Sequence, residues 1–449
     1  MTRTSLRRRA SLGTVAAATT VATALGGSAA VADIPDGTQF YVGKPNHDAV
    51  RQIAELTSEG RKTEAAQIRD IISTPTAIWV EGGSPKEATQ QVRQITRQAA
   101  GKGTVPVLVL YNIPFRDCAQ YSAGGATTMA EYKAWIDGVV AGIGDREVVI
   151  ALEPDGLGII PWYDPRTDTD NADTPDVDES KVLEWCQPAE ADPATASAER
   201  FEMLNYAVDA LKGLPNTSVY LDGTHDGWLG VGDVSDRLIQ AGVTRADGFF
   251  LNASNYRWTD RLVKYGEWIA QCIYLSESSW WQQAWCASQY YPANPDDFST
   301  WGLSDAAYDK AFADTGLARD YSAMPHFIID TSRNGQGPWT PSADDFVIDT
   351  PPLAPGQDLE SWCNPPDRGI GLKPTTDTGN ELVDAYVWIK VPGESDGSCR
   401  RGFGDALGGV DPVWGIVDPA AGEWFEEQAR ELAALADPPL NTSRKQQKK

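Results

Sequence analysis

The sequence predicts an α/β fold: one large barrel-type domain with its site at the C-terminal ends of parallel strands. Three observations predict it. Short apolar runs alternate with segments of helical periodicity. Most runs are apolar at successive positions, as in a parallel sheet covered by helices. Several end in a carboxylate at the start of a loop, where a β/α barrel carries its site.

The strand segments, in order, are 76–80, 105–111, 147–152, 218–221, 248–251, 326–329 and 385–390. Each is rich in Val, Ile, Leu or aromatic residues. Helical periodicity occupies 49–56 before the first strand, and 86–100, 129–143, 199–214 and 234–241 between strands. A doubly wound nucleotide-binding sheet is the rival architecture, but no G-x-G-x-x-G or phosphate-binding loop follows any strand. Two segments are too long for plain connections. Residues 161–198 are acidic and rich in proline, whereas 256–325 hold many aromatics and two cysteines, which favours order.

Residues 1–32 read as a secretion signal. Arg3, Arg7, Arg8 and Arg9 precede a small apolar stretch that ends at Ala30-Val31-Ala32. That stretch is too short and too rich in Ala and Thr to span a bilayer. Residues 33–440 then form one catalytic domain, and 441–449 a basic, disordered tail. The formal net charge of −25 argues against nucleic acid and anionic lipid as partners and fits a neutral ligand. Six cysteines in an exported chain read as three disulfides, with 15 pairings open. No C-x-x-C occurs, and His47, His225 and His326 stand apart, so neither a metal nor a cofactor is expected.

The chemistry-bearing residues are the acids that follow strands. Asp117 follows the second strand, Asp155 the third and Asp222 the fourth; Glu394 and Asp396 follow the seventh. A single Asp there often serves only as a helix cap. Four strand ends supplying acids point instead to one carboxylate-lined pocket. Glycoside cleavage needs such a pocket, because one carboxyl must be protonated while another is ionised. Sixteen Trp exceed what a core needs, and sugars stack on aromatic faces. Trp79 ends a strand, while Trp228 and Trp362 lie in loops after strands. The run Gly393-Glu-Ser-Asp-Gly397 matches a serine nucleophile elbow. That reading fails because every His precedes Ser395 and no helical pattern follows.

Seven motifs carry a resemblance. They are Tyr111-Asn-Ile-Pro-Phe-Arg-Asp117-Cys118, Glu153-Pro-Asp155, Leu221-Asp-Gly-Thr-His225-Asp-Gly-Trp228, Asn252-Ala-Ser-Asn255-Tyr256, Ile329-Asp-Thr-Ser-Arg333-Asn-Gly, Trp362-Cys-Asn364 and Trp388-Ile-Lys390-Val-Pro-Gly-Glu394-Ser-Asp396-Gly. Together they make the chain resemble glycoside hydrolase family 6, the inverting β-1,4-glucanases. The resemblance implies a distorted seven-stranded TIM-like β/α barrel and a cellulose or cello-oligosaccharide substrate. It implies Asp155 as general acid and Asp117 as the group that holds its pKa up and stabilises developing positive charge. Asp396 is the implied base, acting directly or through a water chain, and Tyr111 crowds the distorted sugar ring. Trp79, Trp228, Trp362, Lys390 and Glu394 line subsites, Asp222 and His225 support them, and Asn252 and Asn255 join them in binding substrate. The same resemblance pairs Cys118 with Cys186 and Cys363 with Cys399, which leaves Cys272 with Cys286.

The long segments resemble those of bacterial cellobiohydrolases, above all from Cys272 to Trp301 and at Gly335-Gln-Gly-Pro-Trp339. That implies long loops roofing the site and a secreted monomer that releases cellobiose from chain ends. An open-cleft endoglucanase of the same family is the alternative, and a silent glucan-binding protein a remote one.

Overall fold

The computed structural model describes residues 34–165 and 184–441. The segment read as a secretion signal, the middle of segment 161–198 and nearly all of the stretch read as a basic tail lie outside the described residues. Contacts divide the chain into Met1–Val31 and Ala32–Lys449, and every element named below belongs to the second unit.

Seven strands form one sheet: β1 (Ile78–Val80), β2 (Val107–Leu110), β3 (Val148–Leu152), β4 (Thr217–Asp222), β5 (Gly248–Leu251), β6 (His326–Asp330) and β7 (Val383–Val387). Every neighbouring pair is parallel and follows chain order. Each strand falls on one of the apolar runs, although β7 starts earlier and ends before residues 388–390.

The helices are α1 (His47–Ser58), α2 (Lys62–Ser73), α3 (Pro85–Ala100), α4 (Met129–Ile143), α5 (Ala196–Lys212), α6 (Val231–Gln240), α7 (Thr259–Ser278), α8 (Gly302–Thr315) and α9 (Glu426–Ala434). Local chemistry sets several ends. Ser84 and Glu87 form a capping box at α3, with Pro85 at its first position. Thr128 caps α4, and Gly316 ends α8 in the left-handed conformation.

Period-two alternation sorts the strand residues into two cores. Val107, Val109, Val149, Ala151, Tyr220, Phe250 and Ile328 point inward and fill the curled sheet. Leu108, Leu110, Ile150, Leu152, Phe249 and Phe327 point outward against the helices. Burial on both faces is why the runs are continuously apolar. A third cluster packs α1, α2 and α9 around Trp388.

The expected distorted barrel takes the form of a curled sheet. Among the described residues β1 and β7 share no ladder; a single backbone bond joins the Ala77 N–H to the Trp388 carbonyl at 2.8 Å. The sheet is a curled half-barrel.

Segment 256–325 also differs from its reading as a loop. It forms α7 and α8, which join the outer helical layer beside β6. Gly266 of α7 lies so close to Phe327 that a Cβ would meet the ring at 2.4 Å.

Candidate active site

The loops that leave β2 to β5 gather at one end of the sheet. Asp117, Glu153, Asp155, Thr224, Asn252 and Ser254 all hold positive φ there. Left-handed backbone at non-glycine residues costs about 1–3 kcal/mol each and persists only where surroundings enforce it. Arg200 of α5 enforces part of it. Its buried guanidinium donates to the carbonyls of Gly156 (2.7 Å), Ile159 (2.9 Å) and Pro114 (2.8 Å), tying two loops together. The Glu153 carboxylate adds a second tie, accepting from the N–H groups of Asn112 (2.9 Å) and Ile113 (3.0 Å). The loops bearing Asp117 and Asp155 are therefore held in fixed relation.

These loops, together with β1 and the loops after β6 and β7, line a cavity of about 1230 Å³. Asp117, Asp155, Asp396, Tyr111, Trp79, His225, Trp228, Asn255, Trp362, Lys390 and Glu394 line it, so most of the residues singled out in the sequence meet in one place. Asp222 and Asn252 lie behind the wall. The Asn252 amide is already used, accepting from the Arg257 N–H at 3.0 Å and donating to the Asp330 carbonyl at 2.8 Å. It braces the β5 and β6 loops and does not face the cavity.

The acids fall into two electrostatic groups. Burial pushes the Asp155 carboxyl well above the usual range, and the nearby Asp222 and then Asp117 raise it further. Burial also raises Asp222 to about 7, against the Thr224 N–H that it accepts at 2.9 Å. Burial lifts Asp117 to about 6, opposed by the Ser122 N–H at 2.6 Å and by Arg116. Asp222 thus outranks Asp117 as the like charge acting on Asp155, a role that the family resemblance gives to Asp117.

Asp396 behaves in the opposite way. Burial disfavours its charge, yet Arg333 at 2.9 Å and Lys390 at 3.4 Å outweigh burial and hold it below the ordinary value. The Asn364 N–H (3.0 Å) and Tyr256 hydroxyl (3.1 Å) donate to it as well. Glu394 is raised by burial, against Lys390 and the Asn46 amide. Burial lowers His225 to about 4, and its Nδ1 accepts from the Gly227 N–H at 3.1 Å, so the imidazole is neutral.

Aromatic rings complete the wall. Trp79 meets Tyr111 edge-on at 5.3 Å and donates its indole N–H to the Ile389 carbonyl at 3.0 Å. Trp228 packs on Gly158, where a Cβ would come within 2.4 Å of its ring, so the Asp155 loop must carry glycine there. Trp362 lies 5.9 Å from Tyr121. Trp339, in the segment that the resemblance reads as part of the roof, also reaches the cavity, as does Trp185, to which the sequence gives no role. Disulfides join Cys118 to Cys186, Cys272 to Cys286 and Cys363 to Cys399. The first and third flank Asp117, Trp185 and Trp362. No residue between 258 and 325 lines the cavity, so the segment from Cys272 to Trp301 does not roof it. Ser395 is fully buried and donates to the Pro419 carbonyl at 2.8 Å, which removes it as a nucleophile.

Comparison with known proteins agrees with this geometry. Endoglucanase A of Thermobispora bispora is 29% identical over 403 residues, 89% of this chain and 63% of that protein. Endoglucanase A of Cellulomonas fimi is 29% identical over 83% of this chain and 57% of its own length. The chain therefore spans about three fifths of these relatives. The probable 1,4-beta-D-glucan cellobiohydrolase C of Aspergillus niger is 27% identical over 90% of this chain and 77% of that protein. Among solved structures, the endoglucanase Cel6 of Mycobacterium tuberculosis, in complex with methyl-cellobiosyl-4-deoxy-4-thio-β-D-cellobioside, is 30% identical with a TM-score of 0.59, covering 89% of this chain and 97% of that one. The profile described as "Glycosyl hydrolases family 6" matches residues 35–436, nearly the whole of the folded unit, and by that match the chain belongs to glycosyl hydrolase family 6.

Proposed function

We propose that the protein is a secreted, inverting β-1,4-glucanase that works as a cellobiohydrolase, releasing cellobiose from the non-reducing ends of cellulose chains. The observation that carries the chemistry is the contrast across one cavity: Asp155 is pushed toward its protonated form while Asp396 is held ionised. Asp155 donates its proton to the glycosidic oxygen as that bond breaks. A water attacks the anomeric carbon from the opposite face, and no glycosyl-enzyme forms. The Asp396 oxygens are engaged by Arg333, Lys390, Tyr256 and Asn364, which leaves little room for direct contact with the attacking water. It takes the proton through a water chain and adds negative charge near the oxocarbenium-like centre. Asp117 stabilises the same positive charge. Trp79, Trp228 and Trp362 offer ring faces to successive glucosyl units, and Tyr111 crowds the distorted one.

Action from chain ends rests on the pinned loops. Trp185 and Trp362 each adjoin a disulfide cysteine, so the loops that present them to the cavity are fixed. Export is supported by the three disulfides. No helix among the described residues is long and apolar enough to cross a membrane.

An open-cleft endoglucanase is the second reading. It is favoured by the missing contribution of residues 258–325 to the wall and by the bacterial relatives named endoglucanase. Two measurements test the proposal. Early turnover of cellotetraose followed by proton NMR should yield the α-anomer first; a β-anomer would mean double displacement. On carboxymethylcellulose, viscosity should fall little per reducing end released. A steep early fall would replace the cellobiohydrolase with the endoglucanase.

A further inference from the structure

We propose that the turn after α7 carries an external binding track for a single β-glucan chain, continuous with the cavity wall at Trp228. The track is built from Trp280, Trp285, Tyr290 and Tyr291, which are 58%, 50%, 44% and 80% exposed. Four large aromatics exposed within twelve consecutive positions are an unusual surface for a soluble protein. None of them lines the cavity.

The chemistry of the surroundings selects the ligand. Residues 278–292 hold no charged side chain, although 22% of the chain is charged and its net charge is −25. The polar groups between the rings are Ser, Gln and a cysteine held in a disulfide. Aromatic faces among neutral amides and hydroxyls suit a sugar, whose C–H faces stack while its hydroxyls hydrogen-bond. They give no handle to phosphate or to an acidic or basic protein surface.

Rigidity and place support the same reading. Cys286 in the turn is bonded to Cys272, which is fully buried in α7. Trp281 packs inward against the core and meets Trp280 at 5.7 Å and Trp285 at 5.7 Å. The exposed rings are therefore braced from beneath. The Tyr290 hydroxyl donates to the Trp228 carbonyl at 3.0 Å, and the Gln289 amide donates to the carbonyls of Asp226 (3.0 Å) and Leu229 (2.9 Å). The aromatic turn thus rests on the loop that presents Trp228 to the cavity. Tyr290 therefore adjoins the Trp228 loop without lining the cavity.

Ring orientation decides between a single chain and a crystal face. A flat crystal face needs coplanar rings. The planes of Trp280 and Trp285 are inclined at 60°. Such a pair can follow one twisted chain and cannot lie flat on an ordered sheet of chains.

The inference rests on the β-glucanase reading, and its test separates the two. Adsorption to phosphoric-acid-swollen cellulose would be measured for the full chain, Trp280→Ala/Trp285→Ala and Tyr291→Ala. Cellotetraose kinetics and Tm would be followed in parallel. Affinity for swollen cellulose should fall about tenfold in the double variant, as when aromatic anchors are truncated, and severalfold in Tyr291→Ala. Cellotetraose hydrolysis should hold, since none of the substituted residues lines the cavity. Unchanged adsorption by both variants overturns the track. If the double variant loses Tm, Tyr291→Ala decides alone, because its side chain is almost free of the fold. A dimeric parent that becomes monomeric on Trp280→Ala/Trp285→Ala also overturns it, showing a contact between copies. A chain that adsorbs in this aromatic-dependent way but cleaves no β-1,4-glucan keeps the track and refutes the proposed function.

Discussion

Asp222 never touches the cavity, yet it is the first like charge acting on the carboxyl proposed as the acid. The acid works only while protonated, so activity disappears as pH rises through its pKa. Removing a neighbouring negative charge lowers that pKa and brings the loss to lower pH. Asp222→Asn should move the alkaline limb of kcat/KM down by on the order of one pH unit. Asp117→Asn should move it the same way by less. A pH–rate profile on a soluble cello-oligosaccharide checks this, and a larger shift in Asp117→Asn would reverse the order of the two neighbours. At this scale the acids were legible because each follows an apolar run. Their supporting residues were not. Arg333 and Asp396 lie 63 positions apart, and Arg200 reaches carbonyls 41 to 86 positions away. Nothing local in the sequence marks such partners. Asn252 misled for the converse reason: a polar residue after a strand looks free until its amide is found bonded on both sides.

Among the elements, strands were easier to read than helices. Inward and outward faces of the sheet are both apolar, so a strand stands out as an unbroken run. α7 and α8 were concealed by their aromatic content, which made an outer-layer helix pair resemble a loop insertion. α2 and α9 are 12 and 9 residues long and mix their apolar positions with many charges. The loops have their own device in the disulfides. Cys363 and Cys399 are 36 positions apart and both fully buried. Asn364, next to Cys363, donates its N–H to Asp396 and accepts the Asp396 N–H at 2.8 Å. Cys363→Ala/Cys399→Ala should therefore cost roughly 3–4 kcal/mol by loop-closure entropy and lower kcat on cello-oligosaccharides as Asp396 loses its setting. The bridge from Cys272 to Cys286 spans only 14 positions and lies away from the cavity. Cys272→Ala/Cys286→Ala should cost at most about 3 kcal/mol and leave cellotetraose turnover as it was. Denaturant unfolding with parallel kinetics separates the two effects, and equal loss of turnover in both pairs would contradict the assignment.

For the whole molecule, the distribution of buried carboxyls sets how stability depends on pH. Burial raises Glu153 to about 7, Asp222 to about 7, Glu431 to about 7 and Asp418 to about 8. Asp418 sits behind the loop of Asp396, accepting from the Asn364 amide at 2.8 Å, with Asp411 as its nearest like charge. In the unfolded chain these groups titrate near 4. The fold therefore holds their protons more tightly than the unfolded chain does. That contribution is full below about pH 4 and is lost as pH climbs through 7 to 8. Asp396 has the opposite sign, since its lowered pKa gives stability that disappears only in strong acid. Self-repulsion from a net charge of −25 adds to the loss at high pH. Tm should thus be highest at about pH 4 to 5, fall from there through pH 7 to 8, and be lower by roughly 5 °C or more at pH 8.5. Calorimetric melting across that range at fixed ionic strength measures it. A Tm that rises from pH 5.5 to 8.5 would show that these carboxyls are ionised in the fold.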